Sequence, residues 1–154
     1  MKLIQLTQGQ FAMVDDDMYE ELNQYNWYAS WDRNCFRVLR NVTINGKRAT
    51  VKLHRAIMNA QKGQIVDHID NNTLNNQRSN LRLCTTSQNN MNRGMQTTNT
   101  TGYKGVFRNG KGFIAKICLN GKVIHLGTRP TAEEAHELYK EGSKQHHGDF
   151  GRVA

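Results

Sequence analysis

VDHIDNNTLNNQRSNLRLCTTSQNN, residues 66–90, changes character three times along its length. QIVDHI, residues 64–69, is a short apolar run that sets a carboxylate and an imidazole side by side just before its last residue. NNTLNNQRS, residues 71–79, is a long polar loop. NLRLCT, residues 80–85, is a second apolar run. Thr85-Thr86-Ser87-Gln88 then reads as a capping box, in which the threonine hydroxyl accepts from the backbone N–H three residues on and Gln88 reaches back to the cap. A helix is therefore expected from about Thr86 to roughly Arg93, giving strand, loop, strand and helix within about thirty residues.

The residue types in that order point to hydrolysis assisted by a cation. A helix laid on a two-stranded ribbon is able to bring Asn89 over Asp67. One carboxylate and one amide oxygen, with waters in the remaining positions, suit a hard divalent cation such as Mg²⁺, with Mn²⁺ as an alternative. His68 beside that ion is the candidate general base on water. Adjacent residues of a regular strand point to opposite faces, so the pair converges only where the strand ends or bends. Asn80 is expected to tie the loop down through its amide, and Asn71, Asn72, Asn75 and Asn76 are read as turn formers.

The totals bound the remainder. Lys and Arg number 21 against 13 acidic residues, a formal charge of +8. Residues 1–64 carry 9 basic and 6 acidic side chains, residues 65–95 carry 3 and 2, and residues 96–154 carry 9 and 5. Positive ends around a near-neutral middle suit a chain that grips a polyanion at both ends and works in the centre; a solvated basic surface is the alternative. Cys35, Cys84 and Cys118 form no C-x-x-C pair, which argues against a structural zinc site and a disulfide framework. MKLIQLTQGQ breaks its apolar run with Gln5, Thr7 and Gln8 and does not read as a signal peptide, and no run approaches membrane-spanning length. A cytoplasmic protein is expected.

Around the centre, Phe11 to Val14 reads as a strand and DDDMYEELNQY, residues 15–25, as a short helix with an acidic first turn. WYASW and CFRVLRNVTI, then Asn45-Gly46, then KRATVKL predict a hairpin-bearing sheet. HRAIM, residues 54–58, opens a helix expected to end near Gly63, and His54 reads more readily as a packed histidine than as a phosphate contact. GMQTTNTTG, residues 94–102, is a linker. YKGVFR, FIAKICL and KVIHLG are three strands joined at Asn109-Gly110 and Asn120-Gly121, and Thr131-Ala132-Glu133-Glu134 caps a final helix. The expected fold class is α+β. The expected domains are 1–52, an N-terminal sheet with one helix; 53–94, a central ββα core; the linker 95–102; and 103–154, a three-stranded antiparallel sheet packed on one helix.

VDHIDNNTLNNQRSNLRLCTTSQNN resembles the core of the HNH endonucleases, the ββα-metal nucleases, and is most like the phage homing-type branch. The resemblance implies one divalent ion, Asp67 and Asn89 as its ligands, His68 as general base and Asn80 as the loop-holding asparagine. It implies nicking of one strand of double-stranded DNA by a monomer, leaving a 5′ phosphate and a 3′ hydroxyl, with no small-molecule substrate, in the bacterial host cytoplasm if the chain is phage-encoded. The last motif position is Asn rather than His. GYKGVFRNGKGFIAKICLNGKVIHLGTRPTAEEAHELY, residues 102–139, resembles the APETALA-type DNA-binding domain of plant ethylene-response factors, which phage HNH endonucleases also carry. It implies that Lys104, Arg108 and Lys116 grip DNA from the sheet's outer face, with His125 standing where a base reader often sits. LTQGQFAMVDDDMYEELNQYNWYA resembles the leader that precedes the core in the same phage proteins. Arg78, Arg82 and Arg93 each read equally as a phosphate contact or a surface arginine, as do Arg37, Arg40, Lys47, Arg48 and Lys52 on the hairpin. Two rivals stand beside a homing nickase: a DNA-binding regulator with an inactive core, and a nonspecific or restriction-type nuclease of the same chemistry.

Overall fold

The computed structural model describes residues 1–153. Its fold is α+β, and the chain divides into two compact units, Met1–Cys84 and the residues from Thr85 onward. The boundary between the units falls inside the stretch 53–94, so the capped helix belongs to the second unit.

The first unit opens with a hairpin, β1 (Lys2–Gln5) on β2 (Phe11–Val14), where Lys2 lies opposite Val14. Strand β1 had no counterpart among the expected elements. Its turn is tight because Gln8 and Gly9 both take left-handed backbone and Leu6 N donates to Gln10 O at 2.9 Å. Helix α1 (Asp16–Leu22) follows with Asp16 and Asp17 in its first turn. Strands β3 (Tyr28–Asp32), β4 (Cys35–Ile44) and β5 (Lys47–Lys52) form an antiparallel sheet in that order. Asn45 and Gly46 connect the last two with φ of 51° and 72°, the double left-handed turn that an Asn-Gly pair favours.

Alternation from buried Val38 places Arg40 on the core side of β4, its guanidinium 3.7 Å from the Tyr25 ring centre. Arg37, Arg48 and Lys52 fall on the other face. Ile4, Val14, Val38 and Leu53 are almost wholly buried and form one core with Leu22, Trp27 and Ala29. Each such side chain contributes about 1.5–3 kcal/mol on burial.

Helix α2 (Leu53–Ile57) is five residues long and ends well before Gly63. Asn59 takes left-handed backbone, and the Arg55 guanidinium turns back onto the carbonyls of Ala60, Gln61 and Gln64, which fixes the chain after the helix as a loop. Strands β6 (Ile65–His68) and β7 (Leu81–Cys84) form the two-stranded ribbon, with Asp67 opposite Arg82 and His68 opposite Leu81.

In the second unit, α3 (Thr86–Met91) starts with both arms of the capping box: Gln88 N donates to Thr85 Oγ1 at 3.2 Å and Thr85 N donates to Gln88 Oε1 at 2.8 Å. Strands β8 (Val106–Asn109), β9 (Gly112–Leu119) and β10 (Lys122–Arg129) form a sheet with β9 central, and α4 (Ala132–His147) packs across it. Ala115 and Ile117 meet Ala135 and Tyr139 in this unit's core. Gly105 is required there. Its φ is 72°, and a Cβ would lie 2.1 Å from the Tyr139 ring.

Candidate active site

Asp67 and His68 end strand β6, buried and on opposite faces of the ribbon. The Asp67 carboxylate meets its cross-strand neighbour: Arg82 donates from Nε at 3.0 Å and from Nη2 at 2.9 Å, both to Oδ2. Both side chains are largely withdrawn from water, so this pair is a desolvated one.

On the opposite face, the His68 ring stands 5.1 Å from that of His54, edge to face, and its Nε2 lies 3.4 Å from Asn76 Oδ1. Burial pushes the His68 pKa below its ordinary value, opposed by the hydrogen bond to Asn76 and helped by the positive charge of Arg37. His54 is held neutral more strongly, at a pKa of about 3, by its burial and then by His68. Both imidazoles are uncharged at neutral pH, the state a proton acceptor needs.

The loop beyond His68 is an asparagine lattice around Asp70. Asp70 accepts from Asn72 N at 2.7 Å, from Asn75 Nδ2 at 2.9 Å and from Asn80 Nδ2 at 2.8 Å. These donors hold its carboxyl below the usual range against the opposing effect of desolvation. Asn80 closes the lattice. Its Oδ1 accepts from Asp70 N at 3.0 Å, and its Nδ2 also donates to Asn75 O at 2.8 Å. Asn71 supplies a left-handed residue, and Asn72 caps Leu74 N.

Asn76 is different from its neighbours. It is only 1% exposed, which makes it part of the interior rather than a turn former. Its N–H donates to Met13 O at 2.8 Å, Met13 N donates to Leu74 O at 2.9 Å, and Thr73 Oγ1 donates to Phe36 O. The loop is thus stitched to β2 and β4. No pattern in the sequence singles Asn76 out from Asn71, Asn72 and Asn75; only the loop's docking does so.

The remaining expected site residues divide by their surroundings. Asn89 sits half-buried on α3, in the second unit. Arg93 lies two residues beyond the end of α3, where its N–H donates to Asn90 O at 3.3 Å. Arg78 is engaged by Asp15 and Asp17 at the start of α1, with its backbone N–H on Asp15 Oδ2 at 2.8 Å. Lys104 is half-buried and donates to Met91 O at 2.9 Å and to Arg152 O at 2.8 Å, and burial lowers its pKa to about 8. Arg108 shares the helix-side face of β8 with buried Val106 and stands 5.4 Å from the Phe113 ring. The outer face instead carries Phe107, Ile114, Lys116, Cys118, Val123 and His125, with Lys116 opposite His125. A cavity of about 730 Å³ in this unit is lined by Arg93, Phe107, Arg108 and Lys116 among others.

Among the described residues, no three His, Cys, Asp or Glu side chains gather as a metal cluster. Buried Asp67, which accepts from Arg82, offers one carboxylate oxygen of the kind a hard cation takes while keeping most of its water. Among the described residues, no helix is long and apolar enough to cross a membrane.

Comparison with known proteins places the chain in a family. The family model described as HNH endonuclease matches residues 51–91, the span that contains α2, the ribbon, the asparagine loop and α3. The uncharacterized HNH endonuclease L560 of Acanthamoeba polyphaga mimivirus is 32% identical over 148 residues, covering 92% of this chain and 73% of its own. Protein 3.8 of Escherichia phage T7 is 31% identical over 93 residues, 59% of this chain and 76% of its own. No solved structure matches. With the Asp67-His68 pair, the braced loop and a relative matched over 92% of this chain and 73% of its own length, this chain belongs to the HNH endonuclease family and is a DNA endonuclease.

Proposed function

We propose that this endonuclease is a divalent-cation-dependent enzyme of the homing type that nicks one strand of a long double-stranded DNA site. The observation that carries the reading is a buried, neutral imidazole at the end of a strand, next in sequence to a buried carboxylate and followed by a loop locked by its own amides. His68 takes a proton from water, and the water oxygen attacks the scissile phosphorus. The P–O3′ bond breaks, leaving a 5′ phosphate and a 3′ hydroxyl. Asp67 is the proposed carboxylate ligand of the cation, and the family pattern proposes Asn89 as the amide ligand. When bound, a Mg²⁺ or Mn²⁺ ion supplies charge stabilisation to the phosphate and the departing oxygen. Asn80 keeps the loop shut. Arg82 pairs with Asp67 and offsets its charge.

One HNH core per chain supports single-strand cleavage by a monomer. Arg93, Lys116 and His125 are the proposed DNA contacts of the second unit, since Lys104 spends its charge within the protein and Arg108 faces away from the outer sheet surface. A phage relative supports a working place in the host cytoplasm. The test is conversion of supercoiled plasmid to open circle by wild type and by His68→Ala, each with Mg²⁺ and with EDTA, on DNA that contains a bound site. Nicking by wild type with Mg²⁺ alone is expected. Nicking that persists in EDTA, or in His68→Ala, overturns the mechanism, and linear product at the first turnover overturns the single-strand reading.

A further inference from the structure

We propose that Asn76 is a positioning residue: its side-chain oxygen holds His68 in the tautomer with hydrogen on Nε2, so that Nδ1 is the atom that receives the proton from the attacking water. This inference rests on His68 being the general base. The argument begins with the amide. Asn76 Nδ2 donates to Thr73 O at 3.2 Å, and a carbonyl only accepts, so this contact sets which end of the amide is nitrogen. The other end, Oδ1, therefore faces His68 Nε2 at 3.4 Å. An amide oxygen offers lone pairs and no hydrogen, so the ring nitrogen opposite it carries the proton. A neutral imidazole has one N–H. Its lone pair is then on Nδ1.

The amide is held on all sides. Asn76 is 1% exposed, its own N–H is bound to Met13 O, and the flanking residues Leu74 and Thr73 are tied to β2 and β4. The His54 ring, 5.1 Å away, restricts rotation of His68. When Nδ1 takes the water proton, the ring becomes a cation with hydrogen on both nitrogens. The Nε2–H bond to Asn76 remains and strengthens as charge develops. The hydroxide oxygen forms the new P–O bond, the old P–O3′ bond gives its electron pair to the leaving oxygen, and that oxygen takes a proton from solvent. His68 returns its proton to solvent afterwards.

The test is long-range ¹H–¹⁵N correlation of the imidazole rings in the ¹⁵N-labelled full chain above neutral pH, with His68 identified by comparison with His68→Ala. A bare nitrogen at Nδ1 and a protonated one at Nε2 are expected in wild type; hydrogen on Nδ1 overturns the proposal without recourse to any variant. Asn76→Asp retains an acceptor and is expected to keep the Nε2–H form. Asn76→Leu removes it, and its single-turnover nicking rate is expected to fall on the order of 10²-fold with DNA affinity unchanged. A folded Asn76→Leu that nicks at the wild-type rate overturns the proposal. If Asn76→Leu does not fold, the wild-type and Asn76→Asp spectra decide. An Nε2–H tautomer in a protein whose His68→Ala variant still nicks refutes the general-base assignment rather than the hydrogen bond.

Discussion

Replacing Asn80 with alanine removes three hydrogen bonds at once, and the structure sets what that should cost. Two are neutral, from Asp70 N and to Asn75 O, and each is worth about 1 kcal/mol. The third runs to the Asp70 carboxylate and is worth about 1.5–3 kcal/mol. The sum is about 4 kcal/mol. Asp70 itself is exposed, so water reaches part of what is left behind, and a loss of about 3 kcal/mol is expected. Both tryptophans, Trp27 and Trp31, lie in the first unit, so indole fluorescence during urea unfolding reports that unit alone. With a slope near the low end of about 1–3 kcal/mol/M, the midpoint should fall by about 2–3 M without a change in slope. Asn80→Asp is the sharper comparison. It keeps an acceptor for Asp70 N but sets a second carboxylate against Asp70, so it should be at least as damaging at neutral pH and recover as mild acid protonates one of the pair. A loss below about 1 kcal/mol in Asn80→Ala, or an Asn80→Asp midpoint that does not depend on pH relative to wild type, refutes the idea that this amide holds the loop.

Other consequences follow from the same unit. Arg82→Met takes the guanidinium away from buried Asp67 and should cost about 3–5 kcal/mol; Mg²⁺ should restore more stability to this variant than it adds to wild type, and an equal Mg²⁺ increment in urea midpoints would remove Asp67 from the cation's ligands. His54 has a folded pKa of about 3 against 6.5 when unfolded, so the unfolded chain binds the extra proton between those values and stability falls as pH drops through that window. The slope for this one group is about 1.4 kcal/mol per pH unit, measured as urea midpoints at successive pH values; His54→Phe should flatten the curve there, and a variant as acid-sensitive as wild type contradicts the burial argument.

What the sequence disclosed was what local chemistry governs. The Asn45-Gly46 and Asn120-Gly121 turns have left-handed backbone written into their residue types, and Thr85 with Gln88 announces a helix start by spacing alone. The three C-terminal strands and their helix were readable for the same reason. Strand β1 was not, because its polar interruptions resemble a tail until β2 is there to pair with it. Helix α2 was overextended because its end is set by Asn59 and by the reach of Arg55, neither of which leaves a periodic mark. Asp67, His68 and Asn80 stood out by type and order. Arg78 and Lys104 looked like ordinary surface cations, since their partners lie far along the chain: Asp15 is 63 residues from Arg78, and Arg152 is 48 residues from Lys104. Asn76 was hidden among residues of its own kind.

The stitching of the asparagine loop to β2 and β4 has a bearing on how such enzymes are recombined. A swap that moved only residues 51–91 into another framework would carry Asp67 and His68 but leave behind Met13 and Phe36, the anchors of Asn76 and Thr73. A chimaera joined there would inherit that pair without the contacts that hold the loop beside it. Productive crossover points should therefore fall outside the first eighty-four residues, so that strands β2 and β4 and the loop they clamp travel as one heritable piece.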